Sequence, residues 1–184
     1  MSTFLEKFKK KEILLIVITL LLRITPSIYT PLIADLSAFF QVGSTVLSGG
    51  SPYSLGGAYA YPPLWGYIEA ASVWITIFIN IPFAFIIKIP SIISDMLIAL
   101  LIYKISKSTG NKLAFLLALF YAVNPVSILI SGFHGQFDTL MLLMILIAIY
   151  TFKWSKRWVS PLFLGIAIAL KSFPVLLVPF FLLH

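Results

Sequence analysis

Residues 64–80 read LWGYIEAASVWITIFIN, and whether this stretch crosses a bilayer decides the topology of everything around it. It is one of six hydrophobic runs, at 12–31, 64–80, 83–103, 113–130, 133–152 and 158–183. The basic residues between the runs fall into clusters. Lys7, Lys9, Lys10 and Lys11 precede the first run, Lys104, Lys107 and Lys112 follow the third, and Lys153, Lys156 and Arg157 follow the fifth. Basic connections stay on the cytoplasmic side. If all six runs crossed, the second and third clusters would face outward, so one run between Lys11 and Lys104 does not span. The 64–80 stretch fits that role: it is short, carries Glu69, is rich in Trp and Tyr, and lies between Pro62-Pro63 and Pro82. Such residues suit a helix lying in the interface.

The expected fold is therefore an all-α, polytopic transmembrane bundle of five spans with external interfacial helices. It has a cytoplasmic basic tail (1–11), spans at 12–31, 83–103, 113–130, 133–152 and 158–183, and an external segment at 32–82. Composition agrees. Of 184 residues 60% are hydrophobic and 10% charged, with a mean hydropathy of +1.05, against about 45–50% and about 25% in soluble domains. A soluble enzyme and a nucleic-acid binder are excluded, the +7 charge being first a topology signal. With no cysteine, disulfides and thiol chemistry are excluded too. A cleaved signal peptide competes for the N-terminus, but Arg23 interrupts the segment and no small-residue cleavage site follows, which favours a retained anchor.

With this topology the polar motifs gather on the external side. Asp35 follows the first span, Ser51-Pro52-Tyr53 and Tyr61-Pro62-Pro63-Leu64 lie in the external segment, and His134-Gly-Gln136-Phe-Asp138 joins the third and fourth spans. Leu36, Phe39, Phe40 and Leu47 make 35–47 an amphipathic helix that Gly49-Gly50 would end. Tyr-Pro-Pro-Leu reads equally as a rigid turn or a substrate contact.

Arg23, Lys88 and Lys171 remain inside apolar runs. A charge at the bilayer centre costs about 2.5–3.5 kcal/mol on insertion scales, which makes each a functional candidate. Lys88 and Asp95 lie two helical turns apart on one face; alternatively Lys88 snorkels outward and Asp95 pairs with Arg23. Lys171 precedes Ser172-Phe173-Pro174, where proline removes a helical hydrogen bond and opens a polar break. His134 and Asp138, at i and i+4, would share a face if helical, holding a metal or a sugar phosphate; otherwise Asp138 caps the fourth span. Asn124-Pro125 reads as a kink.

Taken in order, Asp35, Ser51-Pro52-Tyr53, Tyr61-Pro62-Pro63-Leu64, Lys88 with Asp95, Asn124-Pro125, His134 to Asp138, and Gly165 with Lys171-Ser-Phe-Pro174 resemble the GT-C glycosyltransferases. Within that group the chain is similar to the mannosyltransferase of glycosylphosphatidylinositol assembly and to the dolichyl-phosphate-glucose glucosyltransferases. The resemblance covers residue 32 to about 180. It implies a membrane enzyme that moves mannose or glucose, with inversion, from a polyprenyl-phosphate donor to a lipid, protein or glycan acceptor at the extracytoplasmic face. It places the catalytic carboxylate at Asp35. Some relatives have Asp-x-Asp in this loop, where this chain has Ile33, so a divalent cation is left open as cofactor. The family usually has more spans, so the chain resembles the N-terminal half of such an enzyme, with a second chain as a candidate source of the others.

The chemistry assigns the remaining roles. A leaving phosphate gains charge that a fixed cation stabilises, from Lys88, Lys171 or, third, Arg23. Asp35 would take the acceptor's proton. His134, Gln136, Asp138 and Asp95 would line the sugar pocket, with Tyr53, Tyr61 and Trp65 stacking on sugar or lipid. Two other functions compete: a proton-coupled carrier relaying through Asp95, Arg23 and Lys171, disfavoured because no internal repeat is visible, and a catalytically inactive assembly partner.

Overall fold

The computed structural model describes residues 10–31, 33–154 and 157–183. Lys7, Lys9 and Lys156 of the charge count, and most of the basic tail, lie outside the described residues. Helices form at Lys10–Tyr29 (α1), Ala34–Leu47 (α2), Pro63–Ile79 (α3), Phe83–Ile86 (α4), Ile89–Ser108 (α5), Ala114–Ala122 (α6), Pro125–Ile128 (α7), Asp138–Trp154 (α8), Ser160–Leu170 (α9) and Val178–Leu183 (α10). Short 3-10 segments lie at Pro52–Ala58, Arg157–Val159 and Phe173–Leu177, and a π-helical turn at Leu129–His134.

Among the described residues, two helical stretches, Lys10–Tyr29 and Phe83–Ser108, are long and apolar enough to cross a membrane. Ala114–Ala122 with Pro125–His134, bent by 44°, makes a third if the bent pair is one span. The runs at 133–152 and 158–183 are built from shorter helices, α8 of 17 residues, then α9 and α10. In the second of these the backbone turns extended at Lys171 (φ −141°, ψ 142°) just before Ser172-Phe173-Pro174. α3 has 17 residues and falls short of the spanning length.

The chain forms two compact units. The first, residues 1–30 and 88–139, is built on α1, α5 and α6. Ala114, Ala118 and Ala122 recur every fourth residue along α6 and are buried with Leu15, Ala99, Leu100 and Tyr103. Small residues at this spacing let helix backbones approach closely, the main source of helix adhesion where lipid replaces water. α6 stops because Pro125 cannot continue its ladder. The Asn124 side chain then accepts the free N–H groups of Val126 (2.9 Å) and Ser127 (3.4 Å), starting α7. The expected kink is thus a capped break. Beyond it, the π-helical turn lies so close to α1 that a Cβ on Gly132 would stand 2.8 Å from the Arg23 carbonyl oxygen.

The second unit, residues 31–87 and 140–184, is organised by α2 against α3. The amphipathic helix expected at 35–47 is present, burying Leu36, Phe39, Val42 and Gly43. It ends as the glycine pair foretold. Gly49 takes φ +87° and donates to Val46 O (3.0 Å), and Gly50 donates to Thr45 O (2.9 Å), the paired bonds that satisfy a helix's last carbonyls. α3 contributes Trp65, Gly66, Glu69, Ala70, Ser72 and Val73 to the buried side. Its outer side, with Tyr67, Trp74, Ile77 and Phe78, is exposed.

Candidate functional site

In the first unit, two of the intramembrane charges expected near substrate have satisfied one another. Arg23 and Asp95 are fully buried, with Nε 2.7 Å from Oδ2. Arg23 Nη1 donates to the Ala122 carbonyl (2.8 Å), the end of α6 exposed by the break, and to Thr19 O (3.4 Å), while Nη2 donates to Ser127 Oγ (2.8 Å). Asp95 Oδ1 accepts the hydroxyls of Ser127 (2.9 Å) and Tyr121. A guanidinium so engaged has little left for a phosphate, and a carboxylate with three donors little left for a sugar. Of the alternatives open from sequence, pairing of Arg23 with Asp95 is the one the structure adopts, and it is shared with Tyr121 and Ser127.

Lys88 is different. It does not snorkel: it is fully buried, and its Nζ has no hydrogen-bond partner among the described residues. Nor does it pair with Asp95, whose bonds go elsewhere. His134 ends the π-helical turn, exposed, its ring edge-on to Phe133 at 5.5 Å. Gly135 then takes φ +71° and α8 begins at Asp138. His134 and Asp138 thus do not share one helical face, because the left-handed glycine separates the two helices. Gln136 donates its backbone N–H to Ile130 O (3.0 Å).

In the second unit the expected aromatic residues do converge. Phe39 meets Trp65 edge-on at 5.6 Å and Tyr61 at 6.4 Å. Tyr59 meets Tyr53 at 5.4 Å and Tyr61 at 5.8 Å. Tyr59 was not expected from sequence, yet it organises the turn: its hydroxyl donates to Pro62 O and accepts from Gly66 N, both at 2.7 Å. Tyr53 in turn donates to Tyr61 O at 3.1 Å. The Tyr-Pro-Pro-Leu motif is therefore a rigid turn whose aromatic rings are held in place. Asp35 is exposed in the first turn of α2, where the positive end of the helix favours a carboxylate.

Lys171 lies where the chain leaves α9, its Nζ 5.6 Å from the centre of the Tyr61 ring. Around it is a cavity of about 200 Å³ lined by Ala60, Tyr61, Pro62, Lys171, Ser172 and Phe173. Cation, hydroxyl and aromatic faces meet there.

Glu69 is a buried acid that sequence reading left unused. It is fully buried, and neither carboxylate oxygen makes a hydrogen bond of standard geometry among the described residues, although the Trp65 indole one turn earlier acts on it. Burial raises its pKa from 4.5 to about 9, the indole opposing weakly. Burial likewise raises the Tyr59 hydroxyl, with Glu69 adding to the effect. Among the described residues, no three His, Asp or Glu side chains gather as a metal site.

Comparison with known proteins adds the following. Residues 57–184 match the family described as alpha-(1->6)-mannopyranosyltransferase, N-terminal domain. The chain is also 28% identical over 179 residues to GPI mannosyltransferase 1 of Kluyveromyces lactis, an alignment covering 91% of this chain and 42% of the relative. The chain thus spans less than half the length of that relative. No solved structure matches.

Proposed function

Because the chain belongs to the alpha-(1->6)-mannopyranosyltransferase N-terminal-domain family, we propose that it is the N-terminal part of a GT-C-type membrane enzyme that transfers mannose, with inversion, from a polyprenyl phosphate to an acceptor at the extracytoplasmic face. Five crossings, with the N-terminus inside and 32–82 outside, fit the charge pattern of the connections. The relative's name, GPI mannosyltransferase 1, agrees with mannose as the sugar.

The observation that carries this reading is the cavity at Lys171. A sugar phosphate offers a charged group and a ring with apolar faces. The cavity offers an ammonium, the Ser172 hydroxyl, and the rings of Tyr61 and Phe173. In the reaction an acceptor hydroxyl oxygen attacks the anomeric carbon as the bond from that carbon to the phosphate oxygen breaks on the opposite face. The hydroxyl proton passes to the Asp35 carboxylate. The departing polyprenyl phosphate keeps the bonding electron pair, and a lysine ammonium stabilises the charge it gains. Lys171 is the cation assigned to this phosphate; Arg23 is not, since its donors serve the protein.

The test is mannosyl transfer from radiolabelled polyprenyl-phosphate mannose, in membranes containing the protein. Asp35→Asn should lower turnover by ~10²–10⁴-fold with donor KM little changed, and Lys171→Met should raise donor KM. Turnover like that of the wild type in Asp35→Asn would remove Asp35 as the base. An unchanged donor KM in Lys171→Met would remove the cavity as the donor's site.

A further inference from the structure

The first unit holds a second polar arrangement that nothing among the described residues satisfies. Lys88 Nζ and Ser91 Oγ are both fully buried, and both lack a hydrogen-bond partner among the described residues. They lie one helical turn apart at the start of α5, within the apolar stretch Phe83–Ser108. Side chains three residues apart share a helix face, and each leans toward the helix N-terminus, which directs the Ser91 hydroxyl toward the Lys88 turn.

The serine's behaviour is unusual for its helix. Ser94 and Ser108 fold back to donate to the carbonyls of Pro90 (2.7 Å) and Ile105 (2.8 Å), the normal way for a hydroxyl to be satisfied in an apolar helix. Ser91 makes no such bond, although its own carbonyl accepts from Thr139 Oγ1 at 3.1 Å. The other buried charges of this unit cancel, Arg23 against Asp95. Among the described residues of this unit, Lys88 is then a buried positive charge with no hydrogen-bond partner; the Ser91 hydroxyl one turn along the same helix also has none, and on α1 neither does that of Thr19. A buried ammonium is tolerated when an anion neutralises it and the anion's remaining oxygens find donors.

We propose that Lys88 and Ser91 form an enclosed seat for a phosphate group, with Lys88 supplying the charge and Ser91 a directed hydrogen bond. This rests on the transferase reading only in naming the anion as a phosphate. Ser91 thereby becomes a ligand-binding residue, and the phosphate comes either on a prenyl lipid or free from solution.

The test is binding, with no turnover required. The purified full chain in detergent micelles is titrated with farnesyl phosphate, farnesol and inorganic phosphate by calorimetry, and its thermal midpoint is measured without ligand. The wild type should bind farnesyl phosphate at least tenfold more tightly than farnesol. Lys88→Met should weaken farnesyl phosphate binding about tenfold or more and Ser91→Ala about threefold to tenfold, with Ser91→Thr restoring it. Without ligand, Lys88→Met should raise the thermal midpoint, because an unopposed buried charge has been removed. Equal affinity for inorganic phosphate would support the same seat with a soluble source. Farnesol binding as tightly as farnesyl phosphate, or Lys88→Met lowering the midpoint while leaving affinity intact, would overturn the proposal. Phosphate binding at this seat together with an unchanged donor KM in Lys171→Met would remove the Lys171 cavity as the donor's site and leave the seat standing.

Discussion

Replacing Glu69 with glutamine should abolish a pH dependence of stability that the wild-type protein carries. Burial lifts this carboxyl from 4.5 to about 9, so at neutral pH the folded protein holds a proton that the unfolded chain has released. Between those two values the folded state binds more protons than the unfolded one, and stability falls as pH rises. Below 4.5 both states are protonated and the contribution is complete; above 9 both are ionised and it is lost. The linkage is about 1.4 kcal/mol per pH unit, about 6 kcal/mol across the whole interval if the carboxyl stays sealed. Halved for solvent screening of the ionised group, this leaves about 3 kcal/mol, or about 6–12 °C in thermal midpoint for a chain of this size. The amide of Glu69→Gln keeps the shape and cannot ionise. Its midpoint should match the wild type near pH 5 and exceed it increasingly toward pH 9. Thermal unfolding followed by tryptophan fluorescence suits this measurement, since Trp65 lies one turn from Glu69. A wild-type midpoint that holds steady from pH 5 to 9, or the same decline in Glu69→Gln, would refute a sealed, protonated Glu69.

Two further outcomes follow from the first unit. Asp95→Ala should destabilise it by about 3–5 kcal/mol, since Arg23 is left as a buried charge without its carboxylate; the double change Arg23→Met with Asp95→Ala should recover much of that loss, and denaturation in mixed micelles measures both. Gly132→Ala should cost about 1–3 kcal/mol, because its Cβ would stand 2.8 Å from backbone oxygen that cannot move aside as a side chain would; a midpoint shift in the same assay reads it.

Features that a local stretch of chain enforces by itself were legible in the sequence. The helix ending at Gly49-Gly50 and the break at Asn124-Pro125 rest on a missing Cβ, a missing N–H and a capping amide, all within a few residues. The departure from helix at Lys171, ahead of Pro174, belongs with them. What depended on distant partners was harder to read. Arg23 and Asp95 are each as costly in lipid as Lys88, and composition cannot tell which pair up; the deciding groups, Tyr121, Ser127 and the Ala122 carbonyl, gain significance only once α6 has broken beside α1. The i, i+4 spacing of His134 and Asp138 misled because Gly135 permits a left-handed turn between them. Glu69 was noticed only as a polar interruption, since burial against α2 is a tertiary fact. Ser91 had a faint signal, a hydroxyl three residues from an intramembrane lysine, recognisable once Ser94 and Ser108 were seen to bond normally.

The contact between Arg23 and Asp95 spans 72 residues of chain. For a segment inserted while translation proceeds, the guanidinium therefore reaches the bilayer well before its counterion exists. Where α1 crosses a bilayer, Arg23 alone would cost about 2.5–3.5 kcal/mol in lipid, so a segment ending before Asp95 would be a weaker anchor than the same helix with its counterion in place.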